Sequence, residues 1–211
     1  MTPVEIFDKL FVNFSRVNEF HNTITEISKP HPNANISAVE DSTKIFSFDD
    51  LCKKVHNNIL INNANAKEHS SVDGFYYLKN NNKMVLIFIE FKIINPRNHQ
   101  NYNEFLSGEI KPELKLKSLE SLNCVLPHLI SQYSDKNDVK NLHELIFKMP
   151  KYYYCVIYNP TAISESNART SLEADFIDIK RLSPFPFDQV RLITPKRFKR
   201  IIKRLTEYSS A

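Results

Sequence analysis

Residues 71–94, SVDGFYYLKNNNKMVLIFIEFKII, constrain the chain more than any other stretch. Two apolar runs, 72–78 and 84–94, flank the polar tract Asn80-Asn81-Asn82-Lys83. Aromatic and β-branched residues favour strands, and Asn tolerates the left-handed conformation of a tight turn, so the stretch predicts a β-hairpin. With Asn81 and Asn82 as the two turn residues, paired positions sum to 163.

Three ionisable residues interrupt these strands: Asp73, Glu90 and Lys92. The register sets Asp73 opposite Glu90, and directly opposed Cβ atoms lie roughly 4.5–5.5 Å apart. Two carboxylates at that spacing reach one divalent cation. Glu90 and Lys92, two apart, project from the same face. The plainer alternative is a Glu90–Lys92 ion pair near a strand end with Asp73 solvated. Charges inside a buried strand are costly unless paired or metal-bound, and the convergence of three favours a functional site.

Val72-Asp73 followed by Glu90-Phe91-Lys92 resembles the PD-(D/E)xK motif of the restriction-endonuclease-like nuclease superfamily, with Val where the motif has Pro. The resemblance implies that Asp73, Glu90 and the backbone carbonyl of Phe91 bind Mg²⁺, with Mn²⁺ able to substitute. It also implies that Lys92 orients or deprotonates the attacking water, or stabilises charge on the phosphate. Burial and a neighbouring metal would lower the pKa of Lys92 toward the role of a base. Members of the superfamily often carry a further acidic residue on the first core helix. Glu5, Glu19, Glu40, Asp49, Asp50 and Glu68 all precede Asp73, and the sequence does not choose among them. The Gln-x-x-x-Tyr pattern of one exonuclease branch is absent, since Gln100 is followed four residues later by Glu104.

The 211 residues suffice for one full core, so a single domain is expected. Two glycines, Gly74 and Gly108, leave no Gly-rich phosphate loop, which removes Walker-type and dinucleotide-binding readings. The polar, charged opening and the lack of a long apolar run predict no signal peptide and no membrane span, hence a soluble cytoplasmic protein. Cys52, Cys124 and Cys155 are odd in number and far apart, against a disulfide framework. Cys52–His56 and Cys124–His128 have i, i+4 spacing, compatible with a divided zinc site but supported by no CxxC.

Along the chain, Thr2-Pro3-Val4-Glu5 opens a first helix to about Ser15, with a helical continuation over residues 20–27. Ser47-Phe48-Asp49-Asp50 opens a second to about Ile61, with Phe48, Leu51, Val55 and Ile59 inward. Residues 97–112 read as a polar loop containing His99, Gln100 and Tyr102. A helix from Pro112 to Gln132 follows, kinked or divided at Pro127, and then a helical segment over residues 135–148. Residues 151–158 form a strand buried on both faces, 172–179 a strand or a helix, and 190–193 a strand. Thr194-Pro195 caps a last helix. The expected architecture is α/β, a three-layer α/β/α sandwich around a mixed sheet with a restriction-endonuclease-like core. One core strand stays unassigned, at residues 36–45 or 67–71. Its parts are an N-terminal helical region (1–46), a catalytic core (47–160) and a C-terminal extension (161–211).

Six of the nine residues from Lys196 to Arg204 are cationic: Lys196, Arg197, Lys199, Arg200, Lys203 and Arg204. They are candidates for phosphate contact, as are Lys115 and Lys117. A solvated helix face is the competing account, since the net charge of +4 is mild. The expectation is a Mg²⁺-dependent DNA endonuclease, of restriction, defence or mobile-element type, acting as a homodimer where both strands are cut. The alternative is a catalytically silent nuclease-like module that binds nucleic acid or protein.

Overall fold

The computed structural model describes residues 3–15, 20–60, 69–80, 83–94, 110–133, 136–160, 179, 182–183 and 185–209. Six strands form one sheet in sequential order: β1 (His21–Thr23), β2 (Lys44–Ser47), β3 (Gly74–Asn80), β4 (Lys83–Ile93), β5 (Lys151–Tyr158) and β6 (Gln189–Ile193). β1 to β4 pair antiparallel, and β4, β5 and β6 pair parallel. The sheet is therefore mixed, as expected.

Alternation along β4 decides what lies on each side. Leu86 and Phe88 belong to one core, together with Tyr153, Cys155 and Ile157 of β5. Against them pack α1 (Pro3–Ser15), α3 (Phe48–Leu60) and the long helical segment after the hairpin. That segment comprises α4 (Ile110–Glu120), a π-helical turn over Ser121–Val125, α5 (Leu126–Tyr133) and then α6 (Lys136–Lys148). Ile87, Ile89 and Phe91 point the other way. There they meet Phe198 and Ile202 of α7 (Pro195–Ser209) and Ile24 of the single-turn helix α2 (Ile24–Ile27). Helices thus cover both faces, giving three layers.

The hairpin has the register its turn predicts: Asn80 pairs with Lys83, Phe75 with Phe88 and Gly74 with Ile89. The unassigned strand is β2, which enters at Lys44 and runs directly into α3. Ser47 closes a strand as well as preceding a helix. Residues 20–27 are not one helix. Phe20 leads into β1, and Thr23, in extended conformation, caps the short α2 by accepting the Glu26 N–H at 3.2 Å. No strand forms over residues 36–39. Residues 95–109, residues 172–178, Glu19 and Glu68, and the side chain of Ile59, lie outside the described residues.

Pro127 does break the long helix, by widening the turn before it. A proline lacks the N–H for the i−4 carbonyl and clashes with it. The π turn absorbs both problems, and the Leu126 N–H reaches back five residues to the Ser121 carbonyl. π turns of this kind recur beside functional sites.

At the end of the β2–β3 ladder Ser47 pairs with Gly74, and a Cβ on Gly74 would stand 2.7 Å from Ile45 Cδ1. Ile45 is fully buried and has little room to yield. Gly74→Ala should cost about 1–3 kcal/mol by overpacking. The check is the thermal midpoint, and an unchanged midpoint would mean that Ile45 rotates away freely.

Candidate functional site

Asp73 lies one residue before β3 and is gripped from several sides. Its backbone carbonyl accepts the Phe48 N–H at the start of α3 (3.0 Å), and its Oδ2 accepts the Phe91 N–H of β4 (2.6 Å). The preceding residues are tied to α4 and the π turn. The Ser70 N–H donates to Glu120 Oε2 (2.5 Å) and the buried Val72 N–H to Ser121 Oγ (2.9 Å). Ser71 Oγ donates to Asp49 Oδ1 in a short hydrogen bond. Backbone held this way leaves the carboxylate little freedom.

Glu90 reaches the same place from β4. It is fully buried, flanked on the site face by Phe88, with Cys155 as its partner on β5. Lys92 follows on the same face, its Nζ 3.5 Å from Glu90 Oε1. The hairpin therefore brings Asp73, Glu90 and Lys92 together, as its alternation predicts.

Two side chains from α4 complete the cluster. Lys117 Nζ lies 3.0 Å from Glu90 Oε1, 3.7 Å from Asp73 Oδ1 and 3.8 Å from Glu113 Oε1. Glu113 Oε1 is also 3.4 Å from Lys92 Nζ. Lys117, expected as a phosphate contact, lines the groove end of this cluster with its side chain 17% exposed. Glu113 had not been singled out. The one local signal was its i, i+4 spacing to Lys117, which puts the two on one helix face. Lys115, two residues earlier, is exposed outside the cluster.

The charges do not balance. Asp73, Glu90, Glu113 and Asp49 set four carboxylates against the two ammonium groups of Lys92 and Lys117, a formal excess of two negative charges. Burial, with the charge of Glu90 next, holds the Asp73 carboxyl well above the usual carboxylate range, against the pull of Lys117 and the Phe91 N–H. Burial also raises Glu90, although Lys117 and Lys92 oppose it. At Lys92 the opposing effects act on an ammonium. Burial pulls its pKa down, but Glu90 and Glu113 more than offset that, and it is raised. These surroundings favour the ammonium form, which suits hydrogen-bond donation and charge stabilisation.

Glu90 Oε2 has no hydrogen-bond partner among the described residues, although Oε1 has two lysines. An unmatched buried carboxylate oxygen is costly, and a bound cation is one remedy. Phe91 adds a third oxygen. In an extended strand the N–H and C=O of one residue point to the same side. The Phe91 N–H points at Asp73, beyond the last paired residue, Gly74, so its carbonyl faces that side too. Two carboxylates and a carbonyl suit hard Mg²⁺ or Mn²⁺, which keeps several waters. Among the described residues no group of three or more His, Cys, Asp or Glu side chains is disposed to hold a metal, so such a shell depends on water and backbone oxygen. The two Cys–His pairs form no such group either.

A groove of about 710 Å³ opens beside the cluster, at the end of the sheet where β4 finishes. Asp73, Phe91, Lys92 and Lys117 form one wall, Asp49, Asp50 and Lys53 of α3 another, and residues 26–32 a third. Of the six acidic candidates preceding Asp73, Asp49 and Asp50 line this groove, whereas Glu5 and Glu40 are exposed elsewhere.

The basic helix stands on the other side of the sheet. Phe198 packs edge-on against Phe91 with ring centroids 5.5 Å apart, so α7 begins near the site end and crosses the opposite face. Lys196, Lys199, Arg200, Lys203 and Arg204 are exposed and Arg197 is half-buried. None of the six belongs to the Asp73 cluster. No helix among the described residues is long and apolar enough to cross a membrane. No protein family, no curated protein and no solved structure matches this chain.

Proposed function

We propose that the chain hydrolyses phosphodiester bonds of DNA with a divalent cation, as an endonuclease with a restriction-endonuclease-like core. The observation that carries this reading is the pair Asp73 and Glu90, which share the Lys117 ammonium, beside the Lys92 ammonium at a groove. Bound between those carboxylates, Mg²⁺ or Mn²⁺ would supply Lewis acidity and a more acidic water. The residues do the rest. Lys92, kept protonated by Glu90 and Glu113, donates to a phosphate oxygen as negative charge builds there. In hydrolysis a water oxygen bonds to phosphorus, the bond to one sugar oxygen breaks, and the proton the water gives up is returned from solvent to that leaving oxygen. The groove walls from α3 and residues 26–32 position the scissile strand, and α7 with Lys115 offers sequence-independent phosphate contacts farther away. Cutting of both strands would call for a homodimer, since one site cuts one strand.

A catalytically silent module that binds nucleic acid is the second reading. It is favoured by the complete burial of Glu90 behind two lysines. Incubating supercoiled plasmid and single-stranded DNA with Mg²⁺ or Mn²⁺ separates the two. Metal-dependent nicking should appear, and Lys92→Ala should slow it by about 10²–10³-fold, the usual cost of one charge-stabilising donor. Binding without cleavage, in either metal, would leave the silent module.

A further inference from the structure

Lys117 sits where a cation is wanted. Three carboxylates from the segment before β3, from β4 and from α4 surround its ammonium at 3.7, 3.0 and 3.8 Å. Glu90 is fully buried and does not line the groove, whereas Asp73, Lys92 and Lys117 do. The lysines therefore stand between Glu90 and anything entering. They differ in how they are held. Lys92 rises from the sheet two residues beyond Glu90, where β4 pairs with β5. Lys117 reaches in from a helix on a flexible four-carbon stem, whose rotation moves the ammonium several ångströms without moving the backbone.

On the reading of Asp73 and Glu90 as a cation site, we propose that Lys117 is the protein's own stand-in for the divalent cation. It occupies the position between the two carboxylates and closes Glu90 off from the groove. A divalent ion displaces it into the groove, where the ammonium meets the substrate phosphate. Buried carboxylates without a partner are strongly destabilising, so a chain that must fold before metal arrives needs an internal cation. Glu90 Oε2, with no donor, is the place this substitute leaves unfilled. One ammonium reaches Oε1 alone, whereas an ion seated between the carboxylates can use both Glu90 and Asp73.

Displacement makes Lys117 a competitor of the metal, which separates this role from simple packing. Isothermal titration of the 211-residue chain with Mn²⁺ should show Lys117→Met binding at least ~10-fold more tightly than wild type, with cleavage slowed. A residue that merely supports the site would weaken Mn²⁺ binding when removed. Acetylation footprinting of the unmodified protein gives a second readout, independent of whether the variant folds. Lys117 should react slowly without metal and several-fold faster with Ca²⁺, with exposed Lys115 as the internal reference. Wild type that binds Mn²⁺ beside a variant that binds no more tightly overturns the displacement and leaves the cation site standing. Lys117 reactivity that ignores Ca²⁺ while Mn²⁺ binds does the same. Failure of both proteins to bind Mn²⁺ overturns the cation site as well.

Discussion

Asp73→Asn should leave the protein folded and lower Mg²⁺-dependent DNA cleavage by at least about 10³-fold. The amide oxygen still accepts the Phe91 N–H, so the segment before β3 keeps its anchor. What disappears is one of the two negative charges that hold a cation, and each such contribution amounts to several kcal/mol of barrier. Plasmid nicking rates, read beside a circular dichroism spectrum, make the comparison. A rate within about tenfold of wild type would remove Asp73 from the machinery.

The same variant carries a pH signature. Asp73 is raised by burial and then by Glu90, so its folded pKa lies above its unfolded one. The folded state then binds more protons across that window, and stability falls as pH rises through it. Asparagine does not titrate. In a chelator, the melting temperature of Asp73→Asn relative to wild type should therefore rise from about pH 4 to about pH 7. A difference that shrinks over this range would show that Lys117 and the Phe91 N–H outweigh burial.

The largest effect on stability is expected at Phe88. This fully buried ring on β4 meets Phe75 at 5.2 Å, Phe187 at 5.7 Å and Phe48 at 5.9 Å, all three edge-on. It thereby ties β3, α3 and the segment before β6 to the strand that carries Glu90. Phe88→Ala removes the ring and leaves a cavity among aromatic neighbours that cannot collapse, which costs about 3–5 kcal/mol. With an m-value of about 2–3 kcal/mol/M, the urea midpoint should drop by about 1–2 M. A drop below half of that would mean that the aromatic rings repack.

What could be read from the sequence follows from how local each feature is. The hairpin was legible because its register depends only on a two-residue turn and an alternation of period two. Both survive into the pairing of Asn80 with Lys83 and of Gly74 with Ile89. β1 and β2, of three and four residues, are too short to show any period, and β2 was hidden by the helix signal that starts at Ser47. The roles of Lys117 and Glu113 were not legible, because they depend on how α4 lies across the sheet. No local pattern encodes that crossing. The raised pKa of Lys92 is of this origin only in part, since Glu90 on its own strand is the larger raising charge and Glu113 on α4 the smaller. The position of α7 opposite the site could not be read from its charges either. It is set by Phe198 and Ile202, whose apolar face chooses the Ile87, Ile89 and Phe91 side.

The strict alternation along β4 governs which sequence changes this protein can accept. Neighbouring residues there belong to different worlds: Glu90 and Lys92 look toward α4, Ile89 and Phe91 toward α7. One residue inserted between Leu86 and Glu90 would send the charges into the apolar layer under α7 and turn Phe91 toward α4. Two inserted residues would restore the sides but carry Glu90 away from Asp73. The strand is thus free to vary in spelling and not in length. The connection between Asn80 and Lys83 can lengthen with no such penalty, because added residues there leave every pair behind them in step. Over long divergence, relatives of this chain should differ in length at the hairpin tip and keep the spacing from Leu86 to Lys92 unchanged.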